Sequence, residues 1–196
     1  MDNDPTDITP ETWEQGAEQA AAYIDVGRMD YEEAFGAYPP RQMLNILDDC
    51  LEALCDEWWE GSEFSFKGIL GKNDRSPLES WWGTIASMAM AASGLNGMKD
   101  YSSASEVTDL LARKQHDYGH NNILRFGIHG LMVRISDKIA RIKNLLRRHQ
   151  HDTSDISHAN YESVEDSFDD IIGYCIIGIM LCRETFLLEL EADLSD

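Results

Sequence analysis

Charged side chains of opposite sign follow helical spacing in two stretches of the second half of the chain. In the first stretch, positions three, one and three residues apart share one helix face and carry Arg134, Asp137, Lys138 and Arg141. In the second stretch, a carboxylate stripe is formed by Glu162, Asp166 and Asp169, with Asp170 and Tyr174 beside it. The two stretches predict a cationic helix face and an acidic helix face that lie opposite each other in a bundle.

The chemistry that these residue types could perform is phosphate chemistry with a divalent metal. Carboxylates four residues apart on a helix can converge on Mg²⁺, which prefers a few protein oxygens together with water and phosphate oxygens. Such an ion stabilises charge on a phosphoryl group and activates a water molecule. Arginine and lysine side chains would bind the remaining phosphate oxygens. Alternatively, both stripes are solvated faces whose ion pairs contribute little to stability.

The order and spacing of these residues resemble the nucleotide modification associated domain of phages and bacteria. The resemblance covers roughly residues 106 to 182 and is carried by Lys114, Asp117, Tyr118, Gly119, Arg134, Asp137, Lys138, Arg141, Asn144, Leu145, Glu162, Asp166, Asp170 and Tyr174. That domain is in turn similar to the MazG-type all-α nucleotide pyrophosphohydrolases. The first hundred residues lie outside the resemblance.

The resemblance implies a helical bundle, often dimeric, that binds a nucleoside triphosphate with Mg²⁺ and cleaves it between the α and β phosphates. The implied catalytic residues and metal ligands are Asp137, Glu162 and Asp166, with Asp170 as a further ligand. The implied phosphate contacts are Arg134, Lys138 and Arg141. The implied contacts to the rest of the nucleotide are Lys114, Asp117, Tyr118, Asn121 and Tyr174. The MazG pattern supplies a glutamate-rich pair where this chain has Asp137 between cations, which predicts weaker metal binding.

Other functions are compatible with the same residues. His116-Asp117 resembles the metal dyad of the HD-type phosphohydrolases, but the remaining histidines lie mostly in or beside predicted loops. A zinc pair of His116 and His120 is disfavoured because Gly119 should end the helix between them. A non-enzymatic alternative is a protein that sequesters a nucleotide or uses its acidic surface to bind a host partner.

The charge distribution argues against binding to an extended nucleic acid. The formal net charge is -20, divided as -14 over residues 1 to 60, 0 over 61 to 100, +5 over 101 to 150 and -11 over 151 to 196. Nucleic-acid binding requires an extended cationic surface that releases counterions. The acidic N-terminal part promotes solubility, or alternatively docks a basic partner or imitates nucleic acid.

Cysteine spacing and hydropathy predict a soluble cytoplasmic protein. Cys50 and Cys55, and Cys175 and Cys182, are too widely spaced for a common zinc or redox motif and lie in apolar helical patterns. The chain opens Met-Asp-Asn-Asp-Pro, without the pattern of a secretory leader. The longest apolar run, residues 171 to 182, is shorter than the ~20 residues of a membrane helix.

The pattern of apolar residues predicts an all-α bundle of about five to six helices, with a MazG-like core in the C-terminal half. The predicted helices span residues 10 to 27, 40 to 59, 76 to 92, 104 to 119, 128 to 149 and 160 to 191, with a further short helical segment at residues 30 to 37. Residues 61 to 75, 120 to 127 and 149 to 159 are predicted loops. Residues 1–100 should form an acidic, tryptophan-rich helical region that packs on a nucleotide-binding core of residues 101–196.

Overall fold

The chain is α-helical in the residues that the computed structural model describes, which are 9–35, 38–61, 76–148 and 163–191. The helices are α1 (Trp13–Phe35), α2 (Pro40–Gly61), α3 (Ser76–Leu95), α4 (Thr108–Tyr118), α5 (Asn121–Leu124), α6 (Gly127–Arg148) and α7 (Val164–Cys182), with a 3-10 turn at Ala104–Val107. These described ranges contain no β-strand. The predicted all-α class is therefore confirmed.

Helix α7 lies at the centre of the bundle. Its side chains are buried on nearly every side, among them Phe168, Ile172 and Ile176, as expected of a helix whose whole circumference is apolar. Helices α1, α3 and α6 pack around it. Each fully buried isoleucine or phenylalanine contributes about 1.5–3 kcal/mol of transfer free energy. Helix α7 is thus the support on which the side chains of its neighbours are positioned.

Helices α3 and α7 pack tightly against each other at Gly178. A Cβ atom placed on Gly178 would lie 2.5 Å from Cδ2 of Trp82, whose side chain is fully buried. Only a residue without a side chain allows the tryptophan ring to pack directly on the α7 backbone. This contact joins the N-terminal half of the chain to the same hydrophobic core as α6 and α7.

The N-terminal helix is longer than its sequence pattern predicts. Helix α1 continues through Gly27 to Phe35, where the sequence predicts an end near residue 27 and a second short helix to residue 37. Residue 37 and the predicted loops at 62–75 and 149–159 lie outside the described residues. A glycine within a helix costs only about 1 kcal/mol relative to alanine, which is too little to force a break.

The predicted capping box at Ser103 is confirmed. The Ser103 side chain accepts a hydrogen bond from the backbone of the first turn, and Glu106 accepts from the Ser103 backbone. The first turn is a 3-10 turn, and α4 follows it at Thr108. Helix α4 then ends where predicted, at Gly119, whose φ is +67°.

Helix α7 is shorter than the sequence predicts. It begins at Val164 and ends at Cys182, not near residue 191. Glu184 adopts a φ of +63°, and the Thr185 N–H donates to the Met180 carbonyl at 3.0 Å. This arrangement is a Schellman motif with a non-glycine residue in the left-handed position. The chain then turns back, so that Phe186 packs edge-on against Trp13.

Membrane insertion receives no support from these helices. None of them, within the part of the chain that the structure describes, is both long and apolar enough to cross a bilayer.

Candidate functional site: a cationic cluster around Asp170

Two lysines from different helices converge on one carboxylate. The Nζ atom of Lys114, in α4, lies 2.6 Å from Oδ1 of Asp170, and the Nζ atom of Lys138, in α6, lies 2.6 Å from Oδ2. Asp170 belongs to α7, and its side chain is only 9% exposed. Each carboxylate oxygen thus receives one ammonium group, and the three helices are joined at this point.

The antiparallel packing of α6 against α7 extends the cluster by one turn. Lys138 of α6 lies opposite Asp170 of α7. One turn away, Arg134 of α6 lies opposite Tyr174 of α7. The guanidinium carbon of Arg134 is 5.7 Å from the centre of the Tyr174 ring. Its Nη2 donates to Oδ1 of Asn122 at 2.9 Å. Arg134 is therefore held in place from two sides, beside Lys138.

Asn122 was not among the predicted site residues, which included its neighbour Asn121. The structure exposes Asn121 at the start of α5 and turns Asn122 toward Arg134. Both asparagines lie in a short turn where the sequence carries no periodicity, so the sequence offered no means of choosing between them.

Three other predicted ligand contacts lie on helical turns next to the cluster. Arg141 is partly buried and follows Lys138 by one turn on the same face of α6. Asp117 and Tyr118 are exposed at the end of α4, one turn after Lys114. The structure thus places the predicted cations on neighbouring turns, with the two α4 residues at the edge.

Asp166, one of the predicted metal ligands, caps the first turn of α7. Asp166 accepts a hydrogen bond from the backbone N–H of Ser163 at 2.7 Å, and its own N–H donates to the Ser163 hydroxyl at 3.0 Å. This capping box holds the first turn of α7. Asp137 is exposed on α6, and Glu162 lies outside the described residues.

Asp170, a predicted metal ligand, contacts lysines in this structure. Both oxygens of Asp170 are bonded to lysines. Across residues 9–35, 38–61, 76–148 and 163–191, no group of three or more histidine, cysteine, aspartate or glutamate side chains could hold an ion. The involvement of Mg²⁺ therefore stays a prediction from the sequence.

A second polar cluster involves Asp169, which the sequence pattern placed in the carboxylate stripe. Its Oδ1 accepts a hydrogen bond from the Tyr101 hydroxyl at 2.7 Å and lies 3.4 Å from Nζ of Lys99. Burial, and then this hydrogen bond, raise the pKa of Tyr101 well above its ordinary value. Asp169 therefore attaches residues 99 to 101, which precede the 3-10 turn, to helix α7. It lies on a different side of α7 from Asp170.

His116 and His120, the two histidines of the predicted zinc pair, contact different parts of the bundle. Nε2 of His116 lies 3.7 Å from Oε1 of Glu14 in α1. The His120 ring packs edge-on against Phe186, with the ring centres 5.3 Å apart. The two histidines thus have separate neighbours, as the position of Gly119 between them predicts.

The arrangement around Asp170 is suited to binding an anion. Lys114 and Lys138 both contact Asp170, and Arg134 lies one turn from Lys138 on α6. These cations lie at a partly shielded position, where Coulomb attraction to an anion is stronger than in bulk water. Comparison of the chain with protein-family models, curated proteins and solved structures gave no match.

Proposed function

We propose that the protein binds a nucleoside triphosphate, with the phosphate chain held by Lys114, Arg134, Lys138 and Arg141. The observation that carries this proposal is the convergence of Lys114 and Lys138 on Asp170, at 2.6 Å each. Asp170 thus holds two ammonium groups side by side at the junction of α4, α6 and α7. A phosphate chain would be attracted to these neighbouring cations.

The geometry of the cations suits phosphate oxygens. Each ammonium group has three N–H donors, and Asp170 occupies one on each lysine. Arg134 presents a planar fork, which binds two phosphate oxygens at once. Asp170 and Asn122 hold these side chains in position before a ligand arrives, which lowers the entropy cost of binding.

The remainder of the nucleotide would lie toward the end of α4. Tyr118 is exposed there, one turn after Lys114, and an exposed aromatic ring can stack on a base. Asp117, beside it, offers an acceptor for sugar or base hydroxyl and amino groups. The family resemblance assigns both residues to this part of the ligand.

Hydrolysis to the monophosphate and pyrophosphate is the reaction that the resemblance implies, and it stays a prediction. It requires Mg²⁺, for which the sequence offers Asp137, Glu162, Asp166 and Asp170. Because Asp166 caps α7 and Asp170 bonds two lysines, the described contacts favour nucleotide binding over catalysis. A dimer and a cytoplasmic role in phage or bacterial nucleotide metabolism belong to the same proposal.

Calorimetric titration with each ribo- and deoxyribonucleoside triphosphate, with and without Mg²⁺, tests the binding claim. We expect at least one nucleotide to bind, with an affinity that falls as salt rises. Mass spectrometry of the same mixtures tests hydrolysis separately. Binding without release of pyrophosphate would indicate a protein that sequesters the nucleotide without hydrolysing it. If none of the nucleotides binds, the proposal is overturned.

A further inference from the structure

A groove runs between α2 and α6, on the face of α6 that points away from Lys138 and Asp170. Its volume is about 430 Å³, and its floor includes Leu51, Cys55 and Met132. The Sγ atom of Cys55 lies 3.3 Å from Sδ of Met132, so the two helices meet along a floor of sulfur and apolar carbon. This groove is separate from the proposed nucleotide site.

The ends of the groove are defined by two side-chain pairs. At one end Nζ of Lys143 lies 2.6 Å from Oδ2 of Asp48. At the other, the rings of Trp59 and His129 meet edge to face, with their centres 4.8 Å apart. At the helical rise per residue, the α2 segment between these ends is about 16 Å long. Two parallel ridges with a floor of this length form the two-helix groove that a third helix can fill.

Large apolar side chains are exposed at the rims. Trp59 is 50% exposed on the α2 side, and Val133 is 58% exposed on the α6 side. Both line the same groove as the buried floor residues. Exposed apolar side chains that are continuous with an apolar floor mark interaction surfaces more often than isolated ones do. Tryptophan is also the residue type that most often anchors an interface.

The α2 rim is strongly acidic. Helix α2 carries six carboxylates and one arginine, and Asp49 and Glu52 line the groove. The pKa of the Cys55 thiol is raised, first by burial and then by the charges of Asp56 and Glu52. The thiol therefore stays neutral and apolar, and the potential along this rim is negative. A complementary partner must be apolar on one face and basic along an adjacent edge.

We propose that the groove between α2 and α6 docks a basic amphipathic α-helix of a protein partner. Apolar residues at positions i, i+3 or i+4, and i+7 of that helix would occupy the floor, beside Trp59 and Val133. Its lysine or arginine side chains would pair with Asp49 and Glu52. The third helix would shield the exposed apolar rims from water.

The test uses fluorescein-labelled peptides of about 14 residues built from leucine and lysine. One peptide repeats leucine with helical spacing, and a second has the same composition in strict alternation. Fluorescence anisotropy should show that the helical peptide binds at least about fivefold more tightly than the alternating one. A third peptide, with glutamate in place of lysine, should not bind.

Matched charge variants separate docking from general attraction to an acidic protein. The double variant Asp49→Asn/Glu52→Gln should weaken binding of the helical peptide by about fivefold or more. The control Glu11→Gln/Glu18→Gln removes the same charge from two exposed positions, one before α1 and one in its second turn. It should change the affinity by less than about twofold. Val133→Asp should also weaken binding, because it places a charge at an apolar rim. Circular dichroism melts verify that each variant folds.

Several results would overturn the docking proposal. Equal weakening by the two double variants, or equal affinity for the two lysine peptides, would show diffuse charge attraction. Displacement of the peptide by spermine, with the same dependence on Asp49 and Glu52, would show a site for small cations. Sedimentation showing that the chain self-associates, and that Val133→Asp abolishes this, would show that a second copy occupies the groove.

Discussion

Lys138 and Asp170 form an ion pair in which both side chains are largely shielded from water, at 18% and 9% exposure, with Nζ 2.6 Å from Oδ2. Lys114 approaches the other oxygen of the same carboxylate at 2.6 Å, and it is more exposed. Asp170 therefore keeps two cations together at the junction of three helices. The cluster is at once a structural contact and the proposed binding site.

Replacement of Asp170 by asparagine should destabilise the fold. The change leaves two ammonium groups close together without the carboxylate between them, and we expect a loss of about 2–3 kcal/mol in the free energy of unfolding. Urea unfolding measures the loss. The matched control is Asp48→Asn, which breaks the Lys143 pair at a 49% exposed carboxylate and should cost less than about 1 kcal/mol. Equal costs would mean that the Asp170 cluster is no more than a surface ion pair.

The capping box at the start of α7 should contribute measurably to stability. Ser163→Ala removes the side-chain acceptor of the Asp166 N–H and should cost about 1 kcal/mol. As a control, Ser136→Ala changes an exposed serine within α6 and should be neutral or slightly stabilising. Chemical denaturation compares the two variants. If Ser163→Ala has no effect, the capping role assigned to this segment is wrong.

The contact between α3 and α7 should tolerate no side chain at Gly178. Gly178→Ala would place a methyl group 2.5 Å from the Trp82 ring, and we expect a loss of about 1–3 kcal/mol from overpacking. Gly27→Ala is the control, since a Cβ there would meet no atom within 4 Å. In helix α1 this control should stabilise the protein by about 0.5–1 kcal/mol. The melting temperature should therefore fall in Gly178→Ala and rise in Gly27→Ala. A change in the same direction in both variants would contradict the close packing of Trp82 on Gly178.

The hydrogen bond from Tyr101 to Asp169 should make stability sensitive to alkaline pH. Burial, and then this hydrogen bond, raise the pKa of the Tyr101 phenol in the folded protein above its ordinary value of 10.0. The stabilisation is fully present below that value and is lost as pH rises further, because the unfolded chain ionises first. Tyr101→Phe should cost about 1–2 kcal/mol near neutral pH. The difference in the free energy of unfolding between the wild type and Tyr101→Phe should become smaller above about pH 10.

Urea unfolding of the wild type and Tyr101→Phe across this pH range measures that difference. Tyr118→Phe, at an exposed tyrosine, provides the control and should give the same pH dependence as the wild type. A difference that is constant with pH would show that the phenol of Tyr101 ionises equally easily in the folded and unfolded protein.

The sequence predicted those parts of the fold that depend on local pattern. The capping box at Ser103, the end of α4 at Gly119 and the apolar character of α7 each follow from residues close together in the chain. The end of α7 was missed because Glu184, not a glycine, adopts the left-handed conformation there. Contacts after the turn, such as the packing of Phe186 on Trp13, compensate for the cost of the left-handed backbone conformation at Glu184.

The candidate site was predictable only in its residue types. Spacing placed the cations on one face of α6, but neighbouring aspartates in α7 point to different parts of the chain, and only packing determines which one meets the lysines. Asp169 therefore bonds Tyr101, while Asp170 bonds Lys114 and Lys138. The groove between α2 and α6 was missed because Cys55 and Trp59 lie at the edge of the α2 apolar stripe, where periodicity gives the weakest signal.

The central claim is that the cations around Asp170 bind the phosphates of a nucleotide. The most direct test is calorimetric titration of the wild type, Lys138→Met and Lys143→Met with a nucleoside triphosphate analogue that carries a non-hydrolysable α,β bridge. Both variants remove one lysine charge from α6, but Lys143 faces Asp48 in α2. We predict that Lys138→Met weakens binding by about tenfold or more, while Lys143→Met changes it by less than about twofold. Equal loss in both variants, or no binding by the wild type with or without Mg²⁺, would contradict the claim.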